Sequence, residues 1–328
     1  MPRAGSPNAR RARMKVVDNV ARAFAPAGVG NIGVGFDLLG HSIQGPRDVA
    51  RVRRVATSGV RITAITGSAA GTDTIPLDVK RNTAGQALAS LHAALGLTYG
   101  FELMLEKGIP VGAGLGGSAA SCVAALVAAN ALLDAPLPRE ALYPFAIDGE
   151  AVSSRSRQGD NVAPMLLGGV VMATADRMIA LPTPDWLHCV VVHPDQVLET
   201  RRARTVLAEP YALPLVVRQS AHLALFLTGL QRGDAGLIGD GLRDLLVEPR
   251  RAPLVPGFAA VQAAAMDAGA LGASLSGAGP SVFAWFASKA AAGAAAPAMR
   301  AAFTDAGFAS RAWISPVAGP RAEVLEAD

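Results

Sequence analysis

The segment from Pro110 to Ser121 carries the strongest chemical signal in the sequence. Glycines stand at positions 112, 114, 116 and 117, between a predicted strand over 101–106 and a predicted helix over 118–133. Glycine lets the backbone close around an anion, and a helix N-terminus offers unsatisfied N–H groups and a positive dipole end. Ser118 and Ser121 add hydroxyls at the point where a phosphate or a metal would sit. The segment is therefore predicted to bind phosphate, with a plain turn capped by Ser118 as the alternative.

The type of phosphate loop is constrained by what surrounds it. A Walker loop is excluded because no Gly-Lys-Ser or Gly-Lys-Thr occurs here. The spacing Gly112-x-Gly114-x-x-Gly117 satisfies the dinucleotide-binding pattern. However, Pro110 interrupts the approach, and the preceding strand carries two glutamates instead of reading as a buried parallel strand. A nicotinamide-dependent oxidoreductase is therefore kept as the weaker enzyme alternative.

Two other glycine-rich loops accompany this segment. Residues 26–40 contain Asn31 and Asp37, which could hold an ammonium or a hydroxyl group. Taken alone, an ordinary loop with Asn31 in left-handed geometry and Asp37 as a helix cap is the stronger interpretation. Residues 272–281 form a small-residue loop before a predicted strand, which would let another backbone approach closely; an ordinary hairpin or turn into a buried strand is an equal alternative.

Carboxylates form the last candidate group. Glu150 is followed ten residues later by the pair Asp160-Asn161. Carboxylates are the usual protein ligands of Mg²⁺, which otherwise keeps waters and substrate phosphates. In a protein with a phosphate loop and no lysine in that loop, these side chains become candidates for holding a metal.

Composition limits the classes of protein. The chain has 328 residues, of which 51% are apolar and 17% charged, enough for two packed domains. The net charge of +4 comes from four arginines in residues 1–14, and basic and acidic residues otherwise balance. No basic stripe with aromatics predicts nucleic-acid binding. The two cysteines, Cys122 and Cys189, give no disulfide framework or cysteine metal site. No secretory signal or membrane span is predicted, so a cytoplasmic protein is expected.

The elements that must position these residues are mixed without strict alternation, which favours an α+β fold. Helices are predicted over 82–95, 118–133, 139–152, 216–231, 257–268 and 290–302. Strands are predicted over 19–25, 51–55, 60–65, 101–106, 170–173, 188–193 and 281–286. We expect a disordered tail over 1–17, an N-terminal domain over 18–168 and a C-terminal domain over 169–328. Either Met1 or Met14 could be the natural start.

The three glycine-rich loops together resemble the three motifs of the GHMP small-molecule kinases. The first, around Asn31-Ile32-Gly33-Val34-Gly35-Phe36-Asp37, is similar to the form found in homoserine kinases. The segments Asp160-Asn161-Val162-Ala163-Pro164 and Glu248-Pro249-Arg250-Arg251 resemble further segments of that group. The resemblance covers nearly the whole chain after about residue 18. It implies a two-domain α+β fold with a left-handed βαβ unit in the N-terminal domain and a C-terminal α/β sandwich.

The resemblance also implies an activity and a set of residues. It implies ATP-dependent phosphorylation of the homoserine hydroxyl in threonine biosynthesis, with Mg²⁺, and it allows a homodimer. Ser118 and Glu150 would hold Mg²⁺ and, with Asn161, form the catalytic group. Homoserine would be bound by Asn31, Asp37, Asp160, Thr200, Arg204 and Arg251. ATP would be bound by Asn82, Pro110, Val111, Gly112, Ala113, Gly114, Leu115, Gly116, Gly117, Ser118, Ala119 and Ala120.

The chain departs from the family in ways that bear on mechanism. Family members commonly carry two serines where this chain has Gly117-Ser118, so one hydroxyl is left for the metal. Mevalonate kinases use an aspartate as base at the position of Asn161, which cannot act as one. The hypothesis is therefore direct phosphoryl transfer with a late proton, and with Asp160 binding substrate. A GHMP kinase for another small alcohol and a non-catalytic binding protein on the kinase fold stay open as alternatives.

Overall fold

The computed structural model describes residues 19–154 and 157–326. The predicted tail over 1–17 lies outside the described residues. The strands are β1 (Val20–Gly30), β2 (Leu39–Val55), β3 (Gly59–Thr66), β4 (Gly100–Glu106), β5 (Val170–Ala173), β6 (Met178–Ala180), β7 (His188–Pro194), β8 (Gly272–Leu275), β9 (Val282–Phe286), β10 (Ser310–Pro316) and β11 (Glu323–Leu325).

Helices connect or cover these strands. They are α1 (Thr83–Ala94), α2 (Gly117–Ala131), α3 (Tyr143–Ser154), α4 (Val162–Leu167), α5 (Thr200–Thr205), α6 (Leu213–Arg232), α7 (Ala235–Gly241), α8 (Glu248–Arg251), α9 (Phe258–Asp267) and α10 (Lys289–Asp305). Short 3₁₀ turns lie at Thr72–Thr74, Val79–Arg81, Arg139–Leu142 and Ala252–Leu254. The mixture confirms the predicted α+β class.

The first sheet has seven strands and holds both ends of the described chain. Its main path runs β11-β1-β2-β4-β3, and β5 and β6 extend it from β2. Strands β3 and β4 pair in parallel and are joined through α1, which forms the expected βαβ unit. The predicted domain boundary at 168/169 does not separate the sheets. Strands β5, β6 and β11 follow it in sequence yet pair within the first sheet.

The first strand is longer than its sequence predicts. The prediction ended it near Pro26, but β1 continues to Gly30 through a shift of register between Pro26 and Gly28. A bulge tolerates the missing N–H of proline, and a side chain at Gly28 would lie 3.0 Å from the backbone oxygen of His41. The strand therefore carries the chain directly into the loop that begins at Asn31.

Helix α2 is the central helix of the N-terminal region. Residues 119–129, mostly alanine and valine, are all buried, so the helix is apolar on every face. Small side chains let neighbours approach closely: a Cβ on Gly149 of α3 would lie 2.8 Å from the Cys122 sulfur. The small side chains of α2 thus allow close helix packing.

The second sheet is antiparallel, in the order β10-β7-β9-β8, and is covered on both faces. Alternate residues face opposite sides. Val190 and Val192 join the cluster formed with α9 and α10, while Val191, Phe283 and Trp285 join the core shared with α6, α7 and the first sheet. The expected C-terminal α/β sandwich is thus continuous with the N-terminal core.

Helix α6 is the one helix of the described part of the chain that is long and apolar enough to cross a membrane, judged by length and composition only. About 22% of its most apolar window is buried. Core helices of soluble proteins meet the same test. Here Phe226 and Leu230 of α6 pack into the shared core.

Candidate active site

All three glycine-rich loops meet at one cavity of about 370 Å³. Gly112 and Gly116 come from the loop between β4 and α2, Asn31 from the loop after β1, and Gly277 from the loop after β8. Glu150 of α3 and Arg204 of α5 also reach it. The cavity therefore collects segments that lie far apart in sequence.

The loop between β4 and α2 depends on its glycines. Gly112, Gly114 and Gly116 have φ angles of 69°, 74° and 69°, a left-handed region that side chains strongly disfavour. A Cβ on Gly114 would also lie 2.5 Å from the backbone oxygen of Ser276. Positive φ angles at every second residue fold the loop into a tight arch, which packs against the third glycine-rich loop.

The carbonyl oxygens of this arch are held from outside. The Leu198 amide donates to the Gly112 oxygen at 3.2 Å, and the Ser281 hydroxyl donates to the Ala113 oxygen at 2.6 Å. The Ser276 hydroxyl donates to the Gly114 oxygen at 2.7 Å, and the Gly28 amide to the Leu115 oxygen at 3.1 Å. Because C=O and N–H point in opposite directions across a trans peptide, this turns the amides of residues 113–116 toward the opposite side. The arch can thus present N–H groups to an anion.

Helix α2 begins at the end of the arch without a side-chain cap. Its N-cap residue is Gly116, so Ser118 is not the cap that the alternative interpretation requires. The Ser118 hydroxyl donates instead to Glu150 Oε1 at 2.9 Å. The uncapped amides of the first turn are left to interact with a ligand.

Ser118 and Glu150 form the candidate metal site. Burial raises the pKa of Glu150 to about 7, against the opposing effect of the Ser118 hydrogen bond. A cation would favour the ionised carboxylate. No group of three or more His, Cys, Asp or Glu that could hold a metal occurs among residues 19–154 and 157–326. One hydroxyl and one carboxylate therefore fit Mg²⁺, which needs few protein ligands when it keeps waters and phosphates.

The other end of the cavity is built from charged side chains. Arg204 donates to both carboxylate oxygens of Asp37, at 3.2 and 3.0 Å, and to Gln158 at 3.0 Å. Asn31 accepts from the Asp37 amide at 3.0 Å and donates to the Gly277 oxygen at 2.8 Å. The first and third loops thus join around these charges.

The loop after β1 holds these side chains in a strained backbone. Asn31, Ile32 and Asp37 all have positive φ angles, of 69°, 41° and 58°. Left-handed geometry costs non-glycine residues about 1–2 kcal/mol each, and such residues concentrate at functional sites. The left-handed Asn31 foreseen for an ordinary loop is present, but Asp37 caps no helix and binds Arg204 instead.

Two arginines lie together at this end. Arg251 is 2% exposed and donates to the backbone oxygens of Ala203 and Gly277, at 3.0 and 3.1 Å. Burial, and then the neighbouring charge of Arg204, lowers its pKa to about 10. In the part of the chain that the structure describes, the buried Nε of Arg204 has no hydrogen-bond partner. Paired guanidinium groups of this kind are suited to binding a carboxylate.

Asp160 lies between the two ends. It is 5% exposed and accepts from Asn161 Nδ2 at 3.2 Å. Burial, and next the charge of Asp37, raises the pKa of Asp160 to about 7. Glycines make room for the pair: a Cβ on Gly30 would lie 2.6 Å from Asp160 Oδ2 and 2.9 Å from Asn161 Nδ2. Asp160 is therefore poised between its charged and neutral forms near pH 7.

Most predicted site residues line the cavity, and some do not. Leu115, Ala119 and Ala120 are buried in the core and do not line it, although they belong to the predicted ATP loop. Asn82 lines the cavity, but its amide is used as the cap of α1 and in a hydrogen bond to the Pro76 oxygen at 2.9 Å. Thr200 begins α5, and its side chain lies outside what the structure describes.

Other cavity residues were missed by sequence reasoning. Lys107 lines the cavity, and Gln158 contacts Arg204. Ser121, which was predicted to offer its hydroxyl to a phosphate or a metal, donates it to Asp48 at 2.8 Å and accepts from Lys107 at 2.8 Å. Lys107 is one of four lysines in the chain and stands just before the glycine-rich loop, which was an available signal. Nothing local in the sequence marks Gln158.

Comparisons with known proteins agree with this geometry. The family model described as GHMP kinases N terminal domain matches residues 82–169, and that described as GHMP kinases C terminal matches residues 226–305. The homoserine kinase of Xylella fastidiosa strain M12 is 59% identical over 305 residues, covering 93% of this chain and 94% of the relative. That of Chlorobium phaeobacteroides strain DSM 266 is 40% identical over 320 residues, covering 93% and 99%.

Solved structures give the same result. The crystal structure of homoserine kinase from Cytophaga hutchinsonii superposes with a TM-score of 0.90 at 38% identity, covering 96% of this chain and all of that one. L. major mevalonate kinase, with a TM-score of 0.67 at 16% identity over 91% and 97% of the two chains, shares the fold. This chain is therefore a kinase of the GHMP family and belongs to its homoserine kinase group.

Proposed function

We propose that the cleft transfers the γ-phosphoryl group of ATP to the side-chain hydroxyl of L-homoserine, giving O-phospho-L-homoserine for threonine biosynthesis. The observation that carries the proposal is that one cavity has a surface of backbone amides at one end and a surface of charged side chains at the other. The amide-lined arch at Gly112–Gly116 suits phosphates, and the charges around Arg204 suit an amino acid. A kinase for an amino-acid alcohol needs both.

The amino-acid end matches a zwitterion. Asp37 and Asp160 supply negative charge for an ammonium group, and Arg204 and Arg251 supply positive charge for a carboxylate. In the structure Asp37 and Arg204 form an ion pair, so their charges compensate each other. Homoserine would exchange that pair for two pairs of its own, so these charges stay compensated when the substrate is bound.

The phosphate end would bind ATP through the backbone. The arch amides and the first turn of α2 would contact the phosphates, and Asn82 would hold the segment near Pro76 in place beside the nucleoside. Ser118 and Glu150 would hold Mg²⁺, which supplies charge neutralisation at the phosphates when bound. The observation that supports this pair is its 2.9 Å contact at the N-terminus of α2.

The reaction is proposed to rest on positioning and charge stabilisation. Asn161 would orient the hydroxyl of the substrate, and Asp160 would bind its ammonium group. No base is assigned: Asn161 cannot take a proton, and Asp160 is given to substrate binding. The hydroxyl proton would leave late, to phosphate or water.

The test is ADP release with Mg-ATP across homoserine, mevalonate, galactose, serine and threonine. Turnover with homoserine alone is expected. Turnover with another alcohol would keep the phosphate-binding assignment and overturn the substrate. ATP binding without turnover on any of the five would instead indicate a non-catalytic protein on the kinase fold.

A further inference from the structure

A buried ion pair lies beneath the phosphate-binding arch. The Lys107 ammonium, which follows β4, contacts the Asp48 carboxylate of β2, and their side chains are 3% and 0% exposed. Neither residue has a place in the proposed transfer reaction. A buried ion pair contributes little to the free energy of unfolding compared with apolar packing of the same volume. The role of this pair is therefore sought in the segments that it holds together.

All the hydrogen-bond donors of the Lys107 ammonium group are engaged within the protein. It donates to Asp48, to the Gly117 backbone oxygen at 2.8 Å and to the Ser121 hydroxyl at 2.8 Å. An ammonium has three donors, and all three are engaged. Two of these acceptors belong to the first two turns of α2, so Lys107 fixes the start of the helix that follows the arch.

Asp48 holds the other side of the same arch. Its Oδ1 accepts from the backbone amides of Gly108 and Ile109, at 3.0 and 3.1 Å. Its Oδ2 accepts from Lys107 and from the Ser121 hydroxyl, the latter at 2.8 Å. One carboxylate therefore binds both the segment entering the arch and the helix leaving it.

Glycines keep this cluster tight. A Cβ on Gly67, whose φ is 119°, would overlap the backbone of Lys107, and a Cβ on Gly108 would overlap the Arg47 oxygen. The backbone on both sides of Lys107 is thus pressed against β2 and against the residues after β3. Residues 107 and 108, where the chain enters the arch, therefore have little room to move relative to β2.

We propose that Asp48 is a positioning residue for ATP: through Lys107, Ser121 and two backbone amides it sets the distance between the ends of the phosphate-binding arch. The inference rests on the proposed function, since it assigns the arch to ATP. It predicts that losing the Asp48 charge weakens ATP binding while homoserine binding changes little, because the homoserine end has no contact with Asp48.

The test measures the Kd of Mg-ATP by calorimetry without any alcohol, together with the Tm. Asp48→Asn is expected to weaken ATP binding at least tenfold and to lower the Tm, since Lys107 is left without its charged partner. The double variant Asp48→Asn with Lys107→Met removes both charges. It is expected to regain much of the Tm while ATP binding stays at least tenfold weaker.

Two further variants complete the design. Ser121→Ala keeps both charges and should weaken ATP binding about threefold with a small change in Tm. Glu323→Gln breaks the ion pair with Arg139 far from the cleft and serves as the control, with unchanged ATP binding.

Wild-type ATP affinity in the folded double variant would overturn the proposal and leave the pair a purely structural role. If the charge variants do not fold, wild-type affinity in Ser121→Ala would overturn it. A wild-type enzyme that binds ATP but does not phosphorylate homoserine would refute the proposed substrate. The ATP-binding test of Asp48 would still be interpretable, because it does not use homoserine.

Discussion

One end of the active-site cleft presents backbone groups to its ligand, and the other end presents side chains. At the phosphate end the ligand surface is main chain: glycines at 112, 114 and 116 and the uncapped first turn of α2. At the homoserine end it is side chain: Asp37, Asp160 and two arginines. Backbone dipoles do not titrate, whereas buried carboxylates do. Apart from the Ser118–Glu150 pair proposed for the metal, the phosphate end should therefore depend on shape, and the homoserine end on charge and pH.

The difference also shows in how each end is supported. The arch is held by hydroxyls and amides from the C-terminal region, such as Ser276 and Ser281. The charged end is held by ion pairing within the site, which offsets backbone strain, as in the left-handed Asp37 bound to Arg204. Among the residues that face the ligands, and apart from the Ser118–Glu150 pair, substitutions that change shape should thus act on ATP, and substitutions that change charge should act on homoserine. Asp48 lies behind the arch, so a change of its charge acts on ATP through the shape of the arch.

The largest effect is expected from Gly114→Ala. A methyl group there would lie 2.5 Å from the Ser276 oxygen and 2.7 Å from the Gly279 oxygen, on a backbone with φ of 74°. The arch must open, so kcat/KM for ATP should fall by about 100-fold or more, which corresponds to roughly 3 kcal/mol. Steady-state kinetics at saturating homoserine measure this.

Gly96→Ala is the matched control for that substitution. Gly96 also has a positive φ, of 58°, but nothing lies within 4 Å of its Cβ position. It carries the backbone penalty without the collision, so its ATP kinetics should match the wild type. Equal losses in the two variants would mean that a general effect of left-handed strain on the fold, and not the shape of the arch, lowers kcat/KM for ATP.

The next effect is expected from Asp160→Asn. Losing a charged partner of the substrate ammonium removes about 2–3 kcal/mol, so the KM for homoserine should rise roughly 30- to 100-fold while the KM for ATP changes little. Asp148→Asn is the control, since Asp148 binds Ser90 and Arg157 outside the cavity. Loss of kcat with homoserine affinity intact would assign Asp160 the role of base.

A smaller effect is expected from pH. Burial and Asp37 raise the pKa of Asp160 to about 7, so the carboxylate is neutral below that value. The KM for homoserine should therefore fall as pH rises toward 7, by up to about tenfold per unit, and level off above it. The slope should be absent in Asp160→Asn. If that variant keeps the slope, another group titrates, and the raised pKa of Glu150 makes it the first to test.

The same raised pKa links Asp160 to stability. A carboxyl whose folded-state pKa is raised stabilises the fold below its unfolded pKa and loses that contribution as pH rises through about 7. At pH 8 the wild type therefore holds a buried ionised group at a cost, and Asp160→Asn should have the higher Tm. Binding would then be gained at the expense of stability.

The smallest effect is expected from Ser281→Ala. It removes one hydrogen bond to the Ala113 oxygen of the arch, worth about 1 kcal/mol, so the KM for ATP should rise roughly fivefold. Ser315→Ala is the control: Ser315 is also buried and joins the two sheets, through Gln44, but lies away from the cleft. If both variants raise the KM for ATP equally, general loosening explains the effect.

Much of the fold follows from local pattern. The helix predicted over 82–95 is α1, capped by Asn82, and the alanine-rich helix after the glycine loop is α2. Their periodicity and capping residues act within a few positions, so a single sequence shows them. The α+β class follows from the same mixture.

The sheet order does not follow from local pattern. Strand β11 pairs with β1, and β5 pairs with β2, although the predicted boundary at 168/169 separates them. Strand β2 was predicted only over 51–55 because Gly45, Pro46 and Gln44 interrupt its apolar alternation. Long-range pairing fixes those residues as strand, and that information is not local.

Some residues of the active site could be predicted from the sequence, and others could not. The arch was visible because glycine spacing is a local signal, and the resemblance to the GHMP kinases pointed to Asn31, Asp37, Asp160 and the arginines. Gln158 and the Asp48–Lys107 pair were not visible, because their partners lie between 10 and 73 residues away. Whether a charged residue is buried against a partner is decided by the fold.

The pairing of β11 with β1 has a consequence for synthesis of the chain. Ribosomes release β1 before the other strands, and its edge partner β11 emerges only after all the elements between them. Until then one edge of β1 stays open in the nascent chain, and open edges invite pairing with other chains. Completion of this kinase's first sheet therefore waits for the synthesis of every helix and strand between β1 and β11, and the edge of β1 is open to other chains for that time.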